Sequence, residues 1–382
     1  MSLLSEVQLV VLASRLNNAI QMSELTTNNL KAKELQTSDS GLRTFLARLM
    51  RGEDLTRGEA AQLLDGLLDG EATEAQIAAA LVALRLKGET VEELAGLAEG
   101  MRARAVRINS RHERFIDTAG TGSSCAKTFN VSTAAAFVIA GAGLPVAKHG
   151  NRAASSRCGS ADVLAALGVN LSAPPEITES SLNEIGICFM FAPLYHGATA
   201  RAAGIRRQLG VQTTFNLLGP LTNPARAPRQ IIGVSDQKFV EPMAEALALL
   251  GTERAWVVHG ADGLDEITIA GKTFVAEAGN GEVKLFEIEP EAFGVERASL
   301  EDLAGGDAEE NAALIRDVLS AARRDQARTL VIVNAAAALH VGGAADDLLA
   351  GAQLAEQSID SGAAYRMLEQ LIEVTNQSKG QS

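Results

Sequence analysis

The sequence contains few cysteines, and those present are scattered along the chain. There are three among 382 residues, namely Cys125, Cys158 and Cys188. An odd number of cysteines without metal-ligand spacing argues against both a disulfide framework and a structural zinc site. We therefore expect a protein of a reducing compartment, the cytoplasm.

Aromatic residues and long apolar runs are also scarce. Only 4% of the residues are aromatic, and the abundant alanine and glycine suit helices packed closely on a parallel sheet better than a β-sandwich. No apolar run reaches the roughly 20 residues of a membrane helix, and residues 1–16 lack the basic segment of an export signal. The sequence therefore predicts an α/β protein that is neither exported nor membrane-spanning.

Positive charge is in the minority. Lysine and arginine number 34 against 47 aspartate and glutamate residues, which gives a formal net charge of −13. Binding to nucleic acid or to an anionic membrane depends mainly on basic side chains that meet phosphates. We therefore expect neither class of partner, whereas a small anion can bind where basic residues or a metal ion are concentrated.

The first part of the chain predicts a small all-helical domain over residues 41–108. Three capping boxes recur there, each before an apolar run with helical spacing. The boxes pair Thr56 with Glu59, Thr73 with Gln76, and Thr90 with Glu93. Residues 1–40 carry no chemical motif, and we treat them as an N-terminal extension whose order the sequence does not determine.

From residue 115 the sequence changes to short apolar runs, glycine-rich turns and alanine-rich helices, which is typical of βα units. Predicted strands cover 115–118, 144–147, 187–191, 230–234, 255–258, 284–288 and 329–333. Predicted helices cover 132–142, 160–167, 177–185, 196–209 and 352–373. We assign residues 109–382 to a large α/β domain with a mostly parallel central sheet flanked by helices, and expect about 176–212 to contribute to the helical domain.

The loop at 117–133 joins a predicted strand to a predicted helix. Its glycines, Gly120 and Gly122, permit a tight turn and close approach of a ligand. Hydroxyl groups that can donate hydrogen bonds belong to Ser123, Ser124, Thr128, Ser132 and Thr133. The helix start is expected to add free backbone amides that favour an anion. The loop therefore has the chemistry of a phosphate cradle, although an ordinary glycine turn has the same local pattern.

A second loop of this kind, residues 148–162, follows the next predicted strand. It carries basic residues, hydroxyl groups and glycines: Lys148, Arg152, Arg157, Ser155, Ser156, Ser160, Gly150 and Gly159. Loops at the carboxyl ends of parallel strands are where α/β proteins bind ligands, and arginine suits phosphate oxygens. We favour a second anion site here over a solvated basic loop.

Paired carboxylates follow the predicted strand at 255–258. Asp265 and Glu266 end the motif Asp262-Gly-Leu-Asp-Glu, and such a pair alone is usually a solvated turn. Magnesium prefers one or two protein carboxylates together with substrate phosphates. Because two phosphate cradles are predicted in the same domain, we predict that this pair holds Mg²⁺ and helps to neutralise a diphosphate leaving group.

Taken together, these motifs resemble the anthranilate phosphoribosyltransferase family. The resemblance runs from about Leu42 to Asn376 and rests on GTG before TFNVSTAAAF, then VAKHGNRAASS, GSADVLAALG, FNLLGPLTNP and DGLDE. It implies a Mg²⁺-dependent pentosyltransferase of tryptophan biosynthesis that joins phosphoribosyl pyrophosphate to the amine of anthranilate and releases pyrophosphate. It also implies an active-site cleft between the helical domain and a phosphoribosyl pyrophosphate-binding α/β domain, in a homodimer formed through the helical domains.

The resemblance also assigns residues to ligands by motif position. Phosphoribosyl pyrophosphate would be bound by Gly120, Ser123, Ser124, Thr128, Asn130, Val131, Ser132, Thr133, Lys148, His149, Gly150, Asn151, Arg152, Ala153, Ala154, Ser155, Ser156 and Ser160. Anthranilate would contact Gly120, Asn151 and Arg206, with His149 nearby as the candidate for acid–base catalysis. Magnesium would be held by Ser132, Asp265 and Glu266. Of the remaining histidines, only His196 is a candidate for the acceptor site.

The first loop departs from the family's usual Gly-Gly-Asp-Gly, since this chain has Gly122-Ser-Ser-Cys and lacks the aspartate at Ser124. A paralogous phosphoribosyltransferase with another aromatic acceptor is therefore an alternative. A pyrimidine nucleoside phosphorylase of the same overall fold is disfavoured, because the sequence does not show its phosphate-binding pattern. A non-catalytic relative that binds nucleic acid is a further alternative, against which the net charge argues.

Overall fold

The computed structural model of the protein describes residues 41–122, 128–153 and 157–377. Residues 41–50 form helix α1, and three more helices follow: α2 (Arg57–Leu68), α3 (Glu74–Lys87) and α4 (Val91–Arg104). Helices α2 to α4 begin at the predicted capping boxes, and in each box the threonine and the third helical residue exchange both hydrogen bonds. These three helix starts are therefore confirmed.

A seven-stranded sheet forms the second part of the fold. Its strands are β1 (Ile116–Gly120), β2 (Val146–Gly150), β3 (Ile187–Phe191), β4 (Arg229–Gly233), β5 (Arg254–Gly260), β6 (Thr273–Gly279) and β7 (Glu282–Ile288). They lie in the order β3-β2-β1-β4-β5-β6-β7, parallel from β1 to β5 and antiparallel at β6 and β7. The carboxyl ends of β1, β2 and β4 therefore meet at one edge of the sheet, where a ligand site is expected.

Eleven more helices follow in the described chain, and most of them cover the two faces of the sheet. They are α5 (Val131–Gly141), α6 (Ser160–Leu167), α7 (Pro175–Ile185), α8 (Ala192–Tyr195), α9 (Ala200–Leu209), α10 (Phe215–Leu221), α11 (Val240–Leu249), α12 (Ala308–Leu319), α13 (Gln326–Val341), α14 (Leu348–Asp360) and α15 (Ala363–Asn376). Among the described residues, no helix is both long enough and apolar enough to cross a membrane. The predicted fold class, a small helical part with a mostly parallel sheet flanked by helices, is confirmed.

Two elements of the sheet region differ from the prediction. Residues 329–333, predicted as a strand, lie inside helix α13, whose residues from Leu330 to Leu339 are all buried. A helix that is apolar on all sides cannot be told from a buried strand by periodicity alone. Strand β6 was not predicted, because it contains Ala276, Glu277, Ala278 and Gly279, which are all poor strand formers.

The stretch 176–212 divides between the two parts of the fold. Helix α7 packs against β3 and α15 in the α/β part, whereas α9 contacts α2 and α3. Leu182, the buried apolar residue of α7, lies in a core cluster with Cys188 and Met190 of β3, so the buried side of this helix faces the α/β part. The contribution expected from the whole stretch therefore comes from α9, and the boundaries 41–108 and 109–382 stay a prediction.

Candidate active site

At the carboxyl ends of β1 and β2, the side chains alternate between the two faces of the sheet. The two strands are parallel, in a register that places Thr118 beside Lys148, so these side chains share one face. Asp117 and His149 lie on the opposite face, because successive side chains alternate along a strand. Adjacent residues of one sheet edge therefore serve two different environments.

Lys148 lies at the centre of the first face, where it is 4% exposed. Its ammonium group donates a hydrogen bond to the Thr118 carbonyl and lies 3.4 Å from both the Thr118 and the Ser132 hydroxyl oxygens. Burial lowers the pKa of Lys148, while the carboxylates of Asp117 and Glu266 favour its charged form. A buried cation is thus held beside the first turn of α5.

The carboxylate pair predicted to bind magnesium lies at this same face. Glu266 accepts a hydrogen bond of 3.2 Å from the Ser132 N–H, and Oδ2 of Asp265 lies 3.7 Å from the position that a Cβ on Gly120 would take. Burial, followed by the negative charge of Asp265, raises the pKa of Glu266 to about 8. The two negative charges repel each other, and a divalent cation bound between them would remove this repulsion.

Two distant segments fix the loop that carries these carboxylates. A Cβ on Gly233, at the end of β4, would overlap the Asp265 carbonyl oxygen, so only glycine allows this approach. Asn334 of α13 accepts a hydrogen bond from the Ile267 N–H and donates one to the Ile267 carbonyl, each at 2.9 Å. Sequence reasoning assigned no role to Asn334, because the residues just before it resemble a strand.

The start of α5 differs from the expected cradle of free amides. The N–H of Val131 donates to the Phe129 carbonyl at 2.7 Å, and that of Thr133 donates to the Asn130 carbonyl at 3.1 Å. The Ser132 N–H donates its hydrogen bond to the Glu266 carboxylate. Anion binding here therefore depends on side chains, among them the buried Thr133 hydroxyl, which has no hydrogen-bond partner in the described chain.

Asn130 links the two predicted cradles. Its side-chain amide donates to the Cys158 carbonyl at 3.2 Å, and its side-chain oxygen accepts from Asn311 at 3.1 Å. Asn311 also accepts from the Gly306 N–H at 2.8 Å. The segment before α12 is thereby attached to both loops, and sequence reasoning assigned it no role.

The second loop is organised by Asp162, which was not among the predicted site residues. Its carboxylate accepts from the N–H groups of Ala153 and Gly159 at 2.9 and 3.0 Å, and pairs with Arg152 at 2.7 Å. The Asn151 side chain accepts from the Arg152 N–H at 2.8 Å. The guanidinium of Arg152 therefore lies at the rim, in an exposed ion pair of the kind that contributes little and is easily exchanged for a phosphate.

His149 and His196 face each other on the second face, with ring centroids 5.1 Å apart. Nδ1 of His149 lies 3.2 Å from the Gly219 carbonyl, and His196 donates to the Thr222 carbonyl. Both Nε2 atoms are buried without a hydrogen-bond partner among the described residues. Burial lowers the pKa of His149 to about 3 and that of His196 to about 4. Two neutral imidazoles therefore present Nε2 as acceptors.

Arg206, in α9, is partly buried against Phe215, with its guanidinium carbon 5.5 Å from the ring centroid. It donates to the Asn216 side-chain oxygen at 3.2 Å, while its Nε has no partner in the described chain. Burial lowers the pKa of Arg206, and no carboxylate of the described residues offsets this effect. A desolvated guanidinium without a counter-ion is suited to a carboxylate ligand.

We expect acid to destabilise the fold through His149. Its pKa is about 3 in the folded protein and about 6.5 in the unfolded chain, so the unfolded chain binds more protons in this window. Between pH 7 and pH 5 the free energy of unfolding should fall by about 2 kcal/mol on account of this residue. Denaturant titrations at one protein concentration should show a smaller pH dependence for His149→Gln; equal dependence in both proteins would contradict burial of a neutral ring.

Comparison with known proteins identifies the family. Residues 43–105 match a model described as "Glycosyl transferase family, helical bundle domain", and residues 112–365 match "Glycosyl transferase family, a/b domain". The chain is 52% identical over 331 residues to the anthranilate phosphoribosyltransferase of Moorella thermoacetica, covering 87% of this chain and 97% of that one. The chain belongs to the anthranilate phosphoribosyltransferase family.

Solved structures agree with this assignment. The crystal structure of the Thermus thermophilus anthranilate phosphoribosyltransferase has a TM-score of 0.82 and 42% identity, covering 87% of this chain and 99% of that one. The Saccharomyces cerevisiae anthranilate phosphoribosyltransferase in complex with PRPP and Mg has a TM-score of 0.80 and 28% identity, covering 88% and 98%. The predicted family and its glycosyltransferase function are thereby confirmed.

The residue assignments within this family member remain predictions. Ser123, Ser124, Ala154, Ser155 and Ser156 lie outside the described residues. The structure brings the Asp265–Glu266 pair, Ser132 and Lys148 together on one face of the sheet, and places His149 on the other. Arg206 and His149 contact the same helix, α10: Arg206 through the Asn216 side chain and His149 through the Gly219 carbonyl.

Proposed function

We propose that this site transfers the 5-phosphoribosyl group of phosphoribosyl pyrophosphate to the amine of anthranilate, with release of pyrophosphate. The observation that carries the proposal is the division of the β1–β2 edge into two faces. One face combines Lys148 with the carboxylates of Asp265 and Glu266. The other combines the acceptor Nε2 of His149 with the desolvated guanidinium of Arg206. The yeast relative with PRPP and Mg supports the same ligands here.

On the first face, Asp265 and Glu266 hold Mg²⁺ with the Ser132 hydroxyl. In the described residues no group of three or more Asp, Glu, His or Cys side chains could hold a metal ion, so the remaining ligands are substrate oxygens and water. When bound, the cation neutralises the diphosphate as it leaves. Lys148 adds a fixed positive charge beside the same oxygens, because its burial prevents it from moving away.

The phosphoribosyl pyrophosphate cradle is formed by both loops. Side-chain donors around the start of α5 come from Thr128, Asn130, Ser132 and Thr133, and the backbone of 148–153 lines the other side. Arg152 leaves its exposed pair with Asp162 to meet a phosphate, a change that costs little. The transition state carries positive charge on the sugar, so stabilisation of the leaving group contributes more than a strong base.

On the second face, Arg206 binds the anthranilate carboxylate through two parallel hydrogen bonds. This fixes the ring so that its amine points towards Nε2 of His149, which accepts a hydrogen bond from the amine N–H. Gly120 and Asn151 complete the acceptor pocket at the ends of β1 and β2. Holding the amine within attack distance of the sugar converts a bimolecular step into one within a complex.

Loss of anthranilate fluorescence in the presence of phosphoribosyl pyrophosphate and Mg²⁺ tests this function. We expect turnover with anthranilate that stops when the metal is chelated. Because Ser124 replaces an aspartate of the family's first loop, other aromatic amines should be assayed alongside. Faster turnover of another amine would favour the paralogue with a different acceptor, and binding of DNA at low salt without turnover would favour the nucleic-acid-binding alternative.

We also propose a cytoplasmic homodimer formed through the helical part. The cytoplasmic location is supported by Cys158 and Cys188, which are buried and form no disulfide within the described residues. The dimer is supported by Met50 of α1 and Leu86 of α3, whose exposed fractions of 77% and 83% leave large apolar side chains uncovered.

The dimer proposal predicts twice the mass of one chain by light scattering. Met50→Glu with Leu86→Glu should shift the population towards the monomer, because two charges would be desolvated at the interface. The matched change Leu285→Glu, on the exposed edge strand β7, should leave the dimer intact. A monomeric mass for the unmodified protein over a wide concentration range would refute the proposal.

A further inference from the structure

A buried carboxylate–amide pair connects the two sides of the site. Asp117 of β1 is 0% exposed and Asn223, just after α10, is 2% exposed. Nδ2 of Asn223 donates to the Asp117 carboxylate at 2.7 Å, and the other carboxylate oxygen accepts from the His149 N–H at 3.1 Å. Sequence reasoning assigned no role to either residue. The pair thus joins β1, β2 and the segment after α10.

The hydrogen bonds of Asn223 leave its amide one orientation. Its Nδ2 also donates to the Ala147 carbonyl at 2.8 Å, and its Oδ1 accepts from the Ala225 N–H at 2.9 Å. Exchanging oxygen and nitrogen would place donor against donor and acceptor against acceptor at these partners. Each contact is buried, so a mismatch leaves an unsatisfied polar group. Asn223 therefore fixes the end of α10 relative to both strands.

The segment that this pair fixes is the one that orients the two histidines. The Gly219 carbonyl lies 3.2 Å from Nδ1 of His149, and the Thr222 carbonyl accepts from His196. Because these carbonyls accept from the rings, the proton of each neutral ring lies on the nitrogen facing the carbonyl, and Nε2 remains an acceptor. The geometry of residues 219–223 therefore determines both ring position and tautomer.

We propose that Asp117 and Asn223 are positioning residues for the acceptor amine: they hold the 219–223 segment so that His149 and His196 keep Nε2 free towards the site. The expected effect on the anthranilate KM rests on the proposed function. Asp117 lies on the face opposite Thr118 and Lys148, so the hydrogen bonds of the pair act on the acceptor side. Only the negative charge of Asp117 reaches Lys148. A purely structural pair would instead affect both substrates or neither.

Exchange of the pair's donor and acceptor provides the kinetic test. Asp117→Asn preserves shape but leaves an N–H donor against either His149 or Asn223, whichever way its amide lies. We expect the anthranilate KM to rise by about 10-fold or more, as for loss of a hydrogen bond to a charged group. The phosphoribosyl pyrophosphate KM should rise by a clearly smaller factor, because only the charge of Asp117 acts on Lys148. Combining Asp117→Asn with Asn223→Asp restores a donor–acceptor pair and should recover part of the loss.

A stability control separates positioning from folding. Ser358→Ala removes a buried hydrogen bond of 2.8 Å to the Val138 carbonyl, between α14 and α5 and away from the acceptor face. We expect it to lower the free energy of unfolding without changing the anthranilate KM. An Asp117→Asn variant with an unchanged anthranilate KM, or with equal rises in both KM values, would overturn the proposal.

A measurement on the unmodified protein applies even if the variants do not fold or the assay shows no turnover. Nitrogen-15 chemical shifts of labelled histidine rings distinguish protonation at Nδ1 from protonation at Nε2. We expect His149 and His196 to be neutral and protonated at Nδ1 at pH 7. Protonation at Nε2 in either ring would overturn the positioning role, whereas absence of turnover with the expected tautomers would count against the proposed function alone.

Discussion

Replacing Asp265 and Glu266 together by alanine is expected to reduce Mg²⁺-supported turnover by on the order of 10³-fold, because several kcal/mol of charge stabilisation are lost with the cation. Glu266 binds the Ser132 N–H, and Asp265 lies beside the glycine turn that ends β1. The two carboxylates thus lie beside Ser132 and Gly120, which are both predicted to contact phosphoribosyl pyrophosphate. Initial rates over a magnesium titration provide the measurement.

This double variant should remain folded. The pKa of Glu266 is raised to about 8, above its unfolded value, so its ionisation opposes folding as the pH rises through about 8. Removing the pair relieves that cost, which offsets the loss of negative charge beside Lys148. We therefore expect the free energy of unfolding without metal at pH 8 to 9 to change little. The matched control is Asp262→Asn in the same loop, which keeps an acceptor for the Leu264 N–H. Full activity of the double variant in magnesium would remove these residues from the site.

The second large effect is expected at Arg206. Arg206→Ala should raise the anthranilate KM by about 10-fold or more, since a charged hydrogen-bond pair to the carboxylate is lost. The KM for phosphoribosyl pyrophosphate should barely change, because the contacts of Arg206 within the described residues are with Phe215 and Asn216, which lie outside both cradle loops. Steady-state kinetics with each substrate varied in turn separate the two constants.

Two controls accompany this variant. Arg207→Ala removes the neighbouring charge, but Arg207 is exposed, so neither constant should change appreciably. Arg206→Lys keeps a positive charge without the planar pair of donors and should restore only part of the affinity. An unchanged anthranilate KM in Arg206→Ala would exclude this residue from the acceptor pocket and reopen the choice of acceptor.

Local features of the sequence determined several helix starts, the parallel strands and one candidate site motif of this protein. The capping boxes at Thr56, Thr73 and Thr90 set three helix starts, because the hydrogen bonds that form them lie within four residues of chain. The alternation of apolar runs with glycine turns and helices likewise predicted the parallel strands β1 to β5. The paired carboxylates that we propose to hold magnesium were also visible as a motif, since both members are adjacent in the chain.

Only the tertiary structure decided which distant groups meet and how each is charged. The segment at 329–333 lies in a helix that is buried on every side. A short stretch of sequence does not show which elements will surround it, so it could not distinguish this helix from a buried strand. The neutrality of His149 and the missing counter-ion of Arg206 depend on burial by other elements. The contact between Asp117 and Asn223 spans 106 positions. Such pairing depends on the packing of strands and helices, so sequence spacing alone could not predict it.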